Sequence, residues 1–305
     1  MAENSASSGH KLGQLVGDWF EEYFVYPLLQ KVGDELNLFV DSRFVERTIT
    51  SGRSGKIIWN DIDGNAVDYD AVLELGGDVE KKGVPVAFIE CFWRRGSRHS
   101  KDKARDDSGK LLPMKDTYPT ARFLGIISAG DFTNPARELV RTRGIDLFYI
   151  PKAKIVQAFK DCGLIMDYPD KLPEEEKANL VRDFELLFSA SKKLEVREKL
   201  HELVGVAAIN GYVDRFRSTL SALPQEIRFI LRNDSQPICF ESISEASVFL
   251  ENPAFKMDSP IETYIYEVTY TDGSEFVKEV ATLDELKKLH EEIQSLEKHM
   301  SAISR

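Results

Sequence analysis

The segment Val84-Pro-Val-Ala-Phe-Ile-Glu-Cys-Phe-Trp93 is an almost continuous apolar run. Such a run reads as a central strand covered on both faces, which commits the chain to a sheet with layers on either side. Pro85 stands at its start, where a missing N–H is tolerated. One residue is out of character. Glu90 places a carboxylate inside the run, and burying it is costly unless something positive binds it.

The flanking sequence supplies the layers. Leu12 to Val32 carries Leu12, Leu15, Val16, Trp19, Phe20, Tyr23, Phe24 and Pro27 at helical spacing. Strands are expected at Arg47 to Trp59, which holds the turn Ser51-Gly-Arg-Ser-Gly55, and at Val67 to Leu75. A polar helix is expected over Ser97 to Asp107 with a loop through Pro119, a strand over Ala121 to Ala129, a helix over Pro135 to Arg143 and a strand over Ile145 to Ile150. That order gives an α/β fold, a mixed central sheet flanked by helices. A boundary between Ala158 and Pro173 is expected to divide the chain into residues 1–160 and an α+β region, 161–305. In that region Glu174 to Ala208 and Val213 to Leu220 are helical. Glu226 to Leu231 and Ile238 to Glu241 are strands, and a hairpin turns at Asp272-Gly273. The last helix, Leu283 to Ile303, carries Leu286, Leu289, Ile293, Leu296, Met300 and Ile303 in a seam that serves its own domain or a partner copy.

Charge narrows the partners. The chain of 305 residues has 51 acidic and 40 basic side chains, a net −11 that by itself discourages nucleic acid. Residues 1–160, however, carry 23 of each, so the whole excess lies in the C-terminal half. Between Arg94 and Lys115 there are eight bases against three acids. A charge run is usually a solvated face, yet a basic stripe beside candidate metal ligands also suits a phosphate backbone. No apolar run approaches the ~18 residues of a membrane span. Met1 to Lys11 lacks an apolar signal core, and Cys91, Cys162 and Cys239 are few and scattered, which fits reduced thiols and a cytoplasmic setting.

Several chemistries drop out. Gly52-Arg-Ser-Gly-Lys56 fails the phosphate-loop spacing, since position 50 is Thr and Ile57 follows the lysine. Asp61-x-Asp63-x-Asn65 lacks the sixth-position glycine of a calcium loop and has Val72 at the twelfth, so it reads as a turn. The five histidines form no zinc spacing, and no serine stands in a Gly-x-Ser-x-Gly elbow. What remains is Asp70, ahead of Ala-Val-Leu-Glu-Leu, and Glu90, after Val-Ala-Phe-Ile. Either alone reads as a strand cap or an arginine partner. Together, on strand ends that can be neighbours and next to the Arg/Lys cluster, they read as an oxygen-ligand site for a hard cation.

The strand with Val67-Asp-Tyr-Asp70, the strand with Phe88-Ile-Glu-Cys-Phe92 and the basic helix between further strands resemble the PD-(D/E)xK nuclease superfamily, over about residues 12 to 152. Tyr69-Asp70 stands where that family has Pro-Asp, and Glu90-Cys91-Phe92 where it has Glu-x-Lys. The resemblance implies a restriction-endonuclease-like core holding Mg²⁺ through Asp70 (with Asp68 second), Glu90, the carbonyl of Cys91 and an acid on the first helix, Glu22 or, next, Glu21. Phe92 departs from the motif lysine. Its place falls to Lys101 first, then Lys103 or Arg94, while Arg94, Arg95, Arg98, Lys103 and Arg105 meet phosphates. The implied activity is Mg²⁺-dependent endonucleolysis of double-stranded DNA, of type II restriction or phage-defence kind, by a homodimer. The alternatives are a catalytically inactive nucleic-acid-binding protein on the same fold, which Phe92 motivates, and a nuclease for RNA or damaged DNA.

Overall fold

The computed structural model describes residues 7–48, 56–231, 236–252 and 263–303. The Ser51–Gly55 turn lies outside the described residues. The chain opens with helix α1 (Ser8–Trp19), a π-helical turn (Phe20–Val25) and α2 (Tyr26–Leu36). There follow β1 (Phe39–Ser42), a hairpin of β2 (Ile57–Asn60) and β3 (Ala66–Tyr69), then β4 (Ala71–Leu75) and β5 (Val84–Arg94). Next come α3 (Ser100–Thr117), β6 (Phe123–Gly130), α4 (Asn134–Thr142), β7 (Asp146–Pro151) and α5 (Lys152–Asp161).

The main sheet has the order β1-β4-β5-β6-β7, antiparallel as far as β5 and parallel beyond it. It is the mixed central sheet flanked by helices that the sequence implies. The apolar run is its middle strand. Ala87, Ile89 and Cys91 enter the core under α1, α2 and α5, while Phe88 and Phe92 enter the core under α3 and α4. Each fully buried side chain of this size contributes about 1.5–3 kcal/mol relative to exposure.

Helix α3 begins at Ser100 and runs ten residues past the expected end, through Pro113. Proline removes one helical hydrogen bond. Ala104, Ser108, Leu111 and Met114, buried along one face, hold the helix across it.

The C-terminal region has α6 (Glu174–Leu187), α7 (Ala190–Val204), α8 (Val206–Ser221), β8 (Pro224–Leu231), β9 (Ile238–Phe240), α9 (Ile243–Glu251), β10 (Tyr264–Tyr270), β11 (Glu275–Val280) and α10 (Leu283–Ile303). Packing does not divide at residue 160. Val181, Phe184, Val196, Leu200, Tyr212 and Phe216 share one core with Leu12, Trp19 and Phe159. A separate core begins at Ala222, under an antiparallel sheet ordered β11-β10-β8-β9. Arg122 joins the two: it donates to the Ala222 carbonyl at 2.5 Å, pairs with Asp272 at 3.2 Å and lies over the Tyr270 ring.

All of the α10 seam but Ile303, which is exposed, is consumed inside the chain. Leu286, Leu289 and Ile293 pack on the C-terminal sheet, and Leu296 and Met300 reach the first core. It is therefore not free to receive a partner copy. No helix among the described residues is long and apolar enough to cross a membrane.

Candidate metal and phosphate site

The site forms where a strand breaks. The segment expected as one strand from Val67 to Leu75 is split at Asp70, where the chain leaves the β2–β3 hairpin and joins the main sheet. The β4–β5 ladder starts at Ala71 opposite Ile89, so Cys91 lies just beyond the last paired residue. Its N–H donates to Asp70 Oδ2 at 2.6 Å instead. In an extended strand the N–H and C=O of one residue point to the same neighbour. The Cys91 carbonyl therefore faces the Asp70 edge as well.

Glu90 points to the opposite face, toward α3, and is 2% exposed. Lys110 Nζ lies 3.4 Å from both of its carboxylate oxygens. Lys103 Nζ is 4.0 Å from Glu90 Oε2 and 2.7 Å from Asp107 Oδ1, and sits over the Phe92 ring at 5.2 Å. The Tyr69 hydroxyl donates to the Lys110 carbonyl at 2.8 Å, which fixes α3 against β3 at this point. Two ammonium groups from the helix thus stand beside Glu90, and that of Lys103 also lies over Phe92.

The helix acid comes from the π turn. A π turn holds one more residue than an α turn, so the face pattern slips there. Phe20, Phe24 and Val25 are buried, Glu21 turns toward the sheet and Glu22 is exposed. Carboxylate oxygens of Glu21 and Asp70 and the Cys91 sulfur lie within 4.8 Å of one another. Arg43 pairs with Glu21 at 2.6 Å and with Asp18 at 2.7 Å.

These acids are held away from their ordinary state. Burial, then the Asp70 charge, raises the Glu21 pKa to about 7. Burial, then the charges of Asp70 and Asp107, raises Glu90 to about 8. Burial also raises Asp70 and Asp107. For Lys103 burial opposes the charge, but Asp107 and Glu90 outweigh it and the pKa ends raised. The cluster is short of positive charge, with four carboxylates beside Lys103, Lys110 and a shared Arg43. The buried Asp107 Oδ2 has no hydrogen-bond partner among the described residues. Burial pushes the Cys91 thiol well up. The carboxylate oxygens of this set suit a hard divalent cation.

The structure brings Asp70 and Cys91 together, with Glu21, and sets Glu90 beside Lys103 on the other face of β5. Other expected residues lie elsewhere. Glu22 gives way to Glu21, because of the π turn. Lys101 is exposed, and Lys103 and Lys110 make the contacts to Glu90 in its place. Asp68 is exposed in the hairpin, 4.0 Å from Lys110 Nζ. Arg94 donates to the Arg98 carbonyl at 2.9 Å, and Arg95 is tied to the Tyr168 carbonyl and Asp170. Arg98 and Arg105 are exposed. Lys110 and Asp107 had a legible signal, since Lys103, Asp107 and Lys110 are spaced i, i+4 and i+7 on one helix face.

No family model matches the chain, and no curated protein does. Among solved structures it is similar to a protein of unknown function, AF1548, at 17% identity over 63% of this chain and 98% of that one, with a TM-score of 0.29. A likeness of that degree carries no functional inference.

Proposed function

We propose that the chain is a Mg²⁺-dependent nuclease that cuts double-stranded DNA internally, as a restriction or phage-defence enzyme does. The observation that supports this most is the cation-deficient oxygen cluster of Glu21, Asp70 and Glu90, with Lys103 and Lys110 beside it. Asp70, Glu90 and the Cys91 carbonyl would hold Mg²⁺, with Glu21 completing the set. When bound, the ion would lower the pKa of a coordinated water and offset charge on the phosphate.

The chain's own groups do the rest. Lys110, held by Tyr69 through its carbonyl and paired with Glu90, would supply an ammonium to offset charge on the attacked phosphate. Asp107 steers Lys103 to the same region. The exposed Arg98, Lys101 and Arg105 suit contacts to flanking phosphates, which position a duplex without reading its sequence. Cutting a palindrome needs a two-fold dimer, which has to use a surface other than the α10 seam.

Supercoiled plasmid tests the reading. The wild-type chain is expected to nick or linearise it with Mg²⁺ and not with EDTA. Glu90→Ala is expected to abolish cutting, while Lys101→Ala keeps most of it. Binding without metal-dependent cutting of any DNA or RNA would sink the enzyme reading in favour of a catalytically inactive binder. Cutting that survives both Asp70→Ala and Glu90→Ala would place the site elsewhere.

A further inference from the structure

Strand β5 continues past the carboxylates to Trp93 and Arg94, and beside its end lies a cavity of about 500 Å³ lined by Gly9, His10, Gly13, Gln14, Trp93 and Arg95. This volume is in the range of small-ligand sites. Its back wall is rigid. Arg95 is held by the Tyr168 carbonyl at 3.0 Å and Asp170 at 2.6 Å and lies over the Tyr168 ring at 4.2 Å. The edge of the Trp93 ring rests on Gly130, whose φ of +100° lets β6 pass close to the Arg94 carbonyl.

Two features make this a place for a flat, partly polar ring. The first is Trp93 itself. Of the three tryptophans, Trp19 is 1% exposed and Trp59 7%, while Trp93 is partly exposed. The second is Gly13. Glycine inside a helix is unfavourable, and at Gly9 the Tyr168 hydroxyl occupies the space a Cβ would need. A Cβ at Gly13 would meet nothing within 4 Å among the described residues, so no contact there demands its smallness. Gly17 one turn on is equally open without lining the cavity, so Gly13 counts only as an unobstructed part of its wall.

The cavity also has a position relative to the carboxylates. Trp93 is two residues past Cys91 on the same strand face, roughly 7 Å along the strand.

We infer that this cavity is a nucleobase subsite. It takes an unstacked base of the bound strand on the Trp93 ring, on the α1 side of β5, with His10 and Arg95 at hand as hydrogen-bond donors. The placement rests on the nuclease reading. Filling the subsite requires a base out of the stack, as at a frayed end, a gap, or a nucleotide flipped from the duplex that the proposed nuclease cuts. Aromatic stacking tolerates any base because every base has a π face.

Trp93 is its own reporter. With EDTA present to prevent cutting, titration with a short oligothymidylate is expected to quench tryptophan emission saturably. An abasic oligomer of the same length and charge is expected not to. Trp93→Ala should weaken oligothymidylate binding, followed by polarisation of a labelled oligomer, by about tenfold. Trp93→Phe should restore most of it, and abasic binding should be unchanged in both. Gly13→Leu, which favours the helix and fills the cavity, should abolish the base-dependent quench while leaving the fold intact. Equal quenching by the abasic oligomer, or quenching that persists in Gly13→Leu, would overturn the subsite. Metal-dependent plasmid cutting without any base-dependent quench removes the subsite and leaves the nuclease. Base-dependent quench without cutting by any metal removes the nuclease and leaves a base-binding cavity.

Discussion

Replacing Lys103 and Lys110 together by methionine is expected to lower single-turnover cleavage about a thousandfold, with DNA affinity weakened only a few-fold. The argument is electrostatic. Lys110 Nζ sits 3.4 Å from both Glu90 oxygens, and Lys103 Nζ lies 4.0 Å from the same carboxylate while paired to Asp107. Both side chains are largely covered, at 34% and 27% exposure, so their charges act through less water than surface lysines do. Removing one preorganised donor from a developing oxyanion typically costs 10²–10³ in rate. The double variant removes two positive charges from a cluster of four acids, so divalent-ion affinity should rise. A fall in rate beside tighter metal binding separates loss of phosphate stabilisation from loss of the metal. A double variant that cuts at near wild-type rate would show that neither lysine faces the reacting phosphate.

Arg47→Met is expected to destabilise the fold by about 3–5 kcal/mol in urea unfolding. The Arg47 side chain is fully buried, between Asp41 at 2.6 Å and Glu74 at 2.6 Å, and also donates to the Lys81 carbonyl. Glu74 in turn accepts from the Gly83 N–H at 2.6 Å. One guanidinium therefore stitches β1, β4 and the turn into β5. Methionine fills the volume but strands two carboxylates in the interior. Burial already raises the Asp41 pKa with the arginine present. Replacing all three charged groups by apolar ones should recover most of the loss, because a buried ion network often breaks even against apolar packing. If Arg47→Met alone unfolds like the wild type, the network is not holding this end of the sheet.

The sequence was most legible where one physical demand dominated. The Val84–Trp93 run could only be a strand covered on both faces, and Glu90 stood out because nothing in an apolar strand accounts for a carboxylate. The α10 boundaries, Leu283 to Ile303, follow the seam, but the seam alone does not say whether the covering surface belongs to the same chain. Local pattern also failed at three other points. Glu21 replaced Glu22 because a π turn breaks the period on which the helix was read. Lys101 is the first choice by sequence for the missing lysine, but on α3 it is exposed while Lys103 lies beside Glu90. Once the helix continues through Pro113, Lys110 joins the face of Lys103 and Asp107. The boundary expected between Ala158 and Pro173 coincides with a change in net charge, and charge is a surface property. The apolar faces of α6 to α8 belong to the first core whatever their surface carries.

The central claim is that a divalent cation belongs among Glu21, Asp70 and Glu90, and thermal unfolding with and without Mg²⁺ tests it most directly. A cation that binds only the folded chain stabilises it by about 2.7 kcal/mol at a hundredfold excess over its dissociation constant. For a chain of this size that is a rise in Tm on the order of 5 °C. The wild type should show that rise. Asp70→Asn should show none, and without metal it should melt at or above the wild type, because one member of a repelling buried cluster is gone. A wild-type Tm indifferent to Mg²⁺, or an equal rise in Asp70→Asn, would contradict the account.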